Sequence, residues 1–169
     1  MLRFGVSFKE GDGKGEAYRT LEKLLEAELG EWGKVAYAAL YKDENGKPRF
    51  PCVYGMFVSI AHTENYGAAA ISDKPIGIDV EEIKPLDEKK KALLERFFAN
   101  EDIQAAQNDP TGKEFYRFWT RREAAFKAFA EVPFYSADPV KGNEDKITSY
   151  FQRMAGRNIV FSVAVEAEK

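Results

Sequence analysis

The segment Ile76-Gly77-Ile78-Asp79-Val80-Glu81, started by Pro75, restricts the fold more than any other stretch of this 169-residue chain. Side chains alternate across a strand, so Ile76, Ile78 and Val80 enter a core while Gly77, Asp79 and Glu81 share the opposite face. Two carboxylates on one face repel unless a cation or a proton compensates them, and the glycine beside them leaves room for a hard cation. The plain alternative is a solvated outer face, which is the commoner outcome for an isolated pair of this kind.

Around this strand the pattern predicts an α+β chain. Leu2 to Phe8 alternates as a strand, Gly11 to Gly15 reads as a flexible turn, and Glu16 to Glu28 carries leucines at helical spacing up to Gly30. Val35 to Tyr41 is expected as a second strand, and Asp43 to Phe50 as a loop turning at Asn45-Gly46. Phe57 to Ala61 and Gly67 to Ser72 form a hairpin through His62-Thr63-Glu64-Asn65. Helices are expected over Leu86 to Asn100 and Lys113 to Ala130, then paired strands over Thr148 to Arg153 and Asn158 to Val165. Strand, helix and paired strands thus occur twice, which suggests two halves, 1–75 and 76–169, forming one unit.

Composition bounds the chemistry. With 44% hydrophobic residues the chain can fill one core, and a net charge of −3 gives no general reason to bind nucleic acid or an anionic membrane. A single cysteine, Cys52, and a single histidine, His62, exclude a disulfide framework and Cys/His zinc clusters. No run approaches the roughly 18 apolar residues of a membrane span, so a cytoplasmic protein is expected.

The helix from Lys113 supplies the second cluster. Phe115, Phe118, Trp119, Phe126 and Phe129 form an apolar stripe at about 100° per residue. Arg122 falls inside it and needs an anionic partner or a route to water. Glu123 and Lys127, four residues apart, can pair on the flank, and an ordinary surface ion pair is the bland account of them. Lys47 follows a turn glycine within reach of a phosphate. His62 is by itself more often structural than a ligand.

Three motifs in order change the weight of these pieces. They are Ser59-Ile60-Ala61-His62-Thr63, the Gly77-Ile78-Asp79-Val80-Glu81 strand, and Phe118-Trp119-Thr120-Arg121-Arg122-Glu123-Ala124-Ala125-Phe126-Lys127. Together they resemble the 4'-phosphopantetheinyl transferase superfamily, in its surfactin-synthetase-activating type, shortened. The resemblance implies two pseudo-symmetric halves, each a small antiparallel sheet packed with helix, with the active site in the cleft between them. It implies transfer of the phosphopantetheine arm of coenzyme A to a serine of an acyl or peptidyl carrier protein. The reaction would need Mg2+, with Mn2+ as the alternative, and would release adenosine 3',5'-bisphosphate.

By the same resemblance Asp79, Glu81 and Glu123 would be metal ligands. Lys47, Pro48 and His62 would contact coenzyme A, with Thr20 nearby. Lys127 would hold the pyrophosphate, and Glu123 would take the serine proton. The chain is expected to act as a monomer, with no nucleic-acid or membrane partner. Arg122 stands where the family usually has lysine, which leaves it a phosphate-binding role and no base role. Ala61 replaces a serine, and a basic stretch near Lys9 to Glu16 is mostly missing. These departures motivate a reading from another class, a non-catalytic relative that binds coenzyme A or a carrier protein. Carrier proteins of this kind would dock on a basic face, for which Arg117 and Arg121 are the better candidates, although such charge runs are more often simply solvated faces.

Overall fold

In the computed structural model, which describes residues 1–44, 46–51, 55–129 and 138–166, the apolar runs pair into two three-stranded antiparallel sheets with the same strand order. Along the chain the elements are β1 (Leu2–Phe8), α1 (Gly13–Leu29), α2 (Trp32–Ala38), β2 (Tyr41–Lys42) and β3 (Pro48–Arg49). Then come β4 (Phe57–His62), β5 (Tyr66–Ser72), β6 (Ile76–Glu82), α3 (Glu88–Phe97), α4 (Asn100–Gln107), α5 (Lys113–Phe129), β7 (Ile147–Met154) and β8 (Arg157–Val165). The first sheet runs β1-β5-β4 and the second β6-β8-β7, so in each the opening strand pairs with the far strand of a later hairpin. A short β2–β3 ladder stands apart. The α+β class and the recurring strand-helix-hairpin order are as the sequence leads one to expect.

One helix covers each sheet, and a glycine sets how closely it approaches. A Cβ on Gly67 of β5 would lie 2.0 Å from the Ala17 amide nitrogen of α1, and one on Gly77 of β6 would lie 1.9 Å from the Ala124 carbonyl oxygen of α5. Real Cβ atoms do not approach so closely, so both helices rest directly on strand backbone. On the opposite faces the two sheets share a core of Ile76, Ile78, Val80, Phe161, Ala68 and Tyr66. Ile76, Ile78 and Val80 are each at most 1% exposed, as the strand alternation requires.

Several expectations are corrected. The expected strand Val35 to Tyr41 is instead α2 and a break before β2. Gly33 lets α2 close against α1, where a Cβ would meet Glu26 backbone at 2.6 Å, while Ala36 is buried and Trp32 and Val35 face water. Gly30, at φ 59°, turns the chain between the two helices. The expected turn at Gly11 to Gly15 gives way to helix from Gly13, because Asp12 caps α1 by accepting from the Gly15 amide at 3.1 Å. The single helix expected over Leu86 to Asn100 is α3, and α4 follows it after an extended break at Phe98 and Ala99.

The buried residues of α5 are Phe115, Tyr116, Thr120, Arg122, Ala124 and Ala125, so of the expected aromatic stripe Phe115 is fully buried while Phe118, Trp119, Phe126 and Phe129 are partly so. Small residues there allow the close approach to β6. Phe115, Phe118 and Trp119 pack sideways with Leu94, Phe98 and Ile103 of the α3–α4 pair. Asn45, Cys52 and Ala130, on which a turn, a redox argument and a helix end rested, lie outside the described residues.

Candidate active site

Asp79 reaches its position because strand alternation turns it towards α5. The face carrying Gly77, Asp79 and Glu81 is therefore not a solvated outer face. Asp79 is 8% exposed. From the last turns of α5, Lys127 donates through Nζ to Asp79 Oδ1 at 2.8 Å and to the Ile78 carbonyl at 3.0 Å. Asp79 Oδ2 is buried without a hydrogen-bond partner. Burial pushes the Asp79 carboxyl above its usual range, against the pull of the Lys127 charge.

Glu81 and Glu123 complete an acidic group. Burial, then the Asp79 charge, pushes Glu81 up to about 8, with Glu123 adding to the shift and Lys90 and Lys127 opposing it. Glu123 is raised by burial and then by Asp79, with Lys127 and Arg122 opposing. Carboxylates that hold one another's protons in this way lack positive charge.

A hard divalent cation fits that need by the chemistry of the donors and by the unpartnered Asp79 oxygen. Among the described residues, however, no three His, Cys, Asp or Glu side chains stand close enough together to hold a metal ion. Lys127 is the cation that touches Asp79.

The segment between β2 and β3 reaches this point through Lys47. Its ammonium donates to the Lys127 carbonyl at the end of α5. The loop that carries it is held by Asp43, which accepts from the Lys47 amide at 2.9 Å and from Arg49 Nε at 2.9 Å. Burial lowers the Lys47 pKa. Lys47, Arg49, Phe57, Pro75, Ile76 and Phe129 line a cavity of about 200 Å³ beside the end of α5 and the starts of β4 and β6. Two cations over an apolar wall suit an anionic ligand with a flat ring. Pro48 follows Lys47 as a buried residue.

Other candidates stand elsewhere. Thr20 is buried on the side of α1 that faces β1, where its hydroxyl meets Ser7 Oγ at 2.7 Å. Arg122 is 4% exposed, pairs with Asp138 at 3.3 Å, and stacks its guanidinium 5.2 Å from the Phe97 ring centre. Those contacts supply the anionic partner that the sequence demanded, and it is a carboxylate. His62 is exposed at the end of β4. Phe57 and Ile76 share the cavity while Ser59 meets Ile78, so β4 and β6 run in one direction and His62 lies towards the Glu81 end.

Of the expected docking cations, Arg121 donates to the carbonyls of Ile147 and Glu144 at 2.7 and 3.0 Å, and Arg117 pairs with Glu114 at 2.7 Å. The sequence patterns give no role to Asp43 or Arg49, nor to Ser59, which stands only as part of the motif that ends in His62-Thr63. A serine between Val58 and Ile60 in a buried strand was a usable signal for the last, since buried hydroxyls require partners.

Fold and site together define a small α+β protein with an acidic strand facing a basic helix end. Residues 75–153 match the model of the 4'-phosphopantetheinyl transferase superfamily. The chain is 34% identical to the 4'-phosphopantetheinyl transferase psf-1 of Bacillus pumilus, over 49% of its own length and 36% of that protein. It is 35% identical to a 4'-phosphopantetheinyl transferase of Bacillus subtilis over 50% of its length and 38% of the relative. With the 4'-phosphopantetheinyl transferase ffp of Bacillus subtilis the identity is 30%, over 68% of this chain and 53% of that one. The resemblance read from the three motifs is thereby borne out, and the chain spans about a third to a half of the length of these relatives. Among the described residues no helix is long and apolar enough to cross a membrane.

Proposed function

We propose that this chain transfers 4'-phosphopantetheine from coenzyme A to a serine of an acyl or peptidyl carrier protein, with Mg2+ or Mn2+ held by Asp79, Glu81 and Glu123. The observation that carries this reading is the meeting of Lys127 and Asp79 at 2.8 Å, because it puts a phosphate-binding cation and a metal-binding carboxylate from two motifs at one point. The comparisons support it, since the relatives above are named as 4'-phosphopantetheinyl transferases. The bound metal would neutralise charge on the pyrophosphate as the bridging bond weakens.

The chain's own residues have defined tasks in this scheme. Lys127 binds the pyrophosphate, and Lys47 and Arg49 hold the nucleotide end in the cavity beside Phe57, with Pro48 shaping the loop and His62 contacting phosphate from the end of β4. Glu123 accepts the serine proton. The serine oxygen forms a bond to the phosphorus next to pantetheine. The bond from that phosphorus to the bridging oxygen breaks, and its electron pair leaves with adenosine 3',5'-bisphosphate. Residues 1–75 and 76–169 act as two halves of one monomeric unit, with the site where Lys47 meets α5.

Intact-mass spectrometry tests this. Incubation with an apo carrier protein, coenzyme A and Mg2+ should add one phosphopantetheine, roughly 340 Da by covalent composition, and EDTA or Glu123→Gln should abolish the gain. No gain across acyl and peptidyl carriers that a control transferase does modify would overturn the reading.

A further inference from the structure

Strand β6 is the edge of its sheet, so alternate peptide groups point away from β8 towards β4. The two strands are not joined by a backbone ladder. At Ile78 the outward amide finds a side chain instead: it donates to Ser59 Oγ at 3.1 Å, and Ser59 is 2% exposed. The carbonyl of the same residue accepts from Lys127, and Asp79 follows directly. One residue thus has its amide fixed by the first sheet and its carbonyl fixed by α5.

We propose that Ser59 is a positioning residue for the acidic site, acting through the backbone of Ile78 on the placement of Asp79. The proposal rests on the metal-dependent reading above and deepens it. Three features support a positioning task beyond packing. The hydroxyl is the polar group that meets the Ile78 amide across the gap between the sheets. The residue it grips is also held by Lys127, at the carbonyl of the next peptide, the one that leads into Asp79, and the Lys127 carbonyl is in turn gripped by Lys47 from the same half. The strand that carries Ser59 also carries His62, so one hydrogen bond sets the distance between two candidate site elements. Without it, the Ile78 amide is buried and unpaired, and the edge strand can shift along β4.

The test titrates Mn2+ into the wild-type chain, Ser59→Ala and Ser59→Thr, reading free metal by electron paramagnetic resonance. Urea unfolding and hydrogen exchange at the Ile78 amide accompany each titration. Groups that orient metal ligands typically contribute about 10- to 100-fold in metal affinity. Ser59→Ala is therefore expected to raise the Mn2+ dissociation constant about tenfold and to speed Ile78 exchange, and Ser59→Thr, which keeps the hydroxyl, to recover most of both. An alanine variant that binds Mn2+ within twofold of wild type, or a threonine variant no better than alanine, overturns the proposal while leaving the transferase reading intact. A wild-type chain that binds no Mn2+ overturns both.

Discussion

Lys127 of α5 and Asp79 of β6 form an ion pair at 2.8 Å in which the carboxylate is the more buried partner, its side chain 11% exposed against 25% for the lysine. Such a pair is costly to break on one side, because the remaining charge stays where water cannot reach it. Lys127→Met should therefore destabilise the chain by about 2 kcal/mol at pH 8, below the full cost of a wholly buried pair because the lysine is partly solvated. At pH 5 the loss should shrink, since Asp79 can then take a proton. Urea unfolding at the two pH values checks this, and equal losses at both would show that Asp79 is not the charge left behind.

Glu81 makes the pH dependence of the whole chain unusual. Its folded pKa is pushed from 4.5 to about 8, above the unfolded value. Between those values the folded chain holds a proton that the unfolded chain has released, so stability falls as pH rises across the window. In EDTA the melting temperature should decline from pH 5 to pH 8, and Glu81→Gln should flatten the decline. Mg2+ should raise the melting temperature of the wild type at pH 8 more than at pH 5, because it replaces that proton, and should act weakly on the variant. Calorimetric scans with and without Mg2+ decide it; a wild type that gains stability towards pH 8 in EDTA would remove Glu81 as the controlling group.

What the sequence made legible follows from how local each signal is. The face pattern of Ile76 to Glu81 depends only on strand alternation, and it located both the buried isoleucines and the inward carboxylates. The pairing of Lys127 with Asp79 was approachable through motifs, but not from spacing along α5, which suggested Glu123 as the partner. Val35 to Tyr41 misled because a short apolar run fits either state, and the close contact at Gly33 decides for helix only once α1 is in place. Thr20 and Arg122 were attributed to coenzyme A by resemblance. Their partners Ser7, on β1, and Asp138, between α5 and β7, are distant in sequence, and no local pattern links them.

Arg122 invites a test because its position separates structure from ligand binding. With Asp138, the Phe97 carbonyl and the Phe97 ring as neighbours, the side chain contributes packing together with hydrogen bonding and an ion pair to a largely exposed carboxylate. Arg122→Met keeps much of that packing, so a loss of about 1–2 kcal/mol is expected. The KM for coenzyme A should stay within twofold of wild type. A tenfold rise in that KM with unchanged urea stability would return Arg122 to the phosphate site.

Gly77 offers the sharpest link between packing and chemistry. Its missing side chain lets the Ala124 carbonyl sit where a Cβ would be, 1.9 Å away, and the nearest neighbour is backbone that cannot rotate aside. Gly77→Ala must then push α5 away from β6. Glu123 and Lys127 ride on the same turns of that helix, so displacement separates them from Asp79 and Glu81 as well as opening the core. Overpacking of this kind costs about 1–3 kcal/mol. The variant should lose at least that much stability, and its remaining folded fraction should transfer phosphopantetheine at least about tenfold more slowly, as misplaced catalytic groups do. Gly46→Ala is the control for a glycine substitution made in open space, where no heavy atom lies within 4 Å, although its φ of +75° adds local strain. Comparing melting temperature and single-turnover rate for the two variants checks the argument: equal behaviour would mean that the close seat of α5 on Gly77 is not what holds the site together.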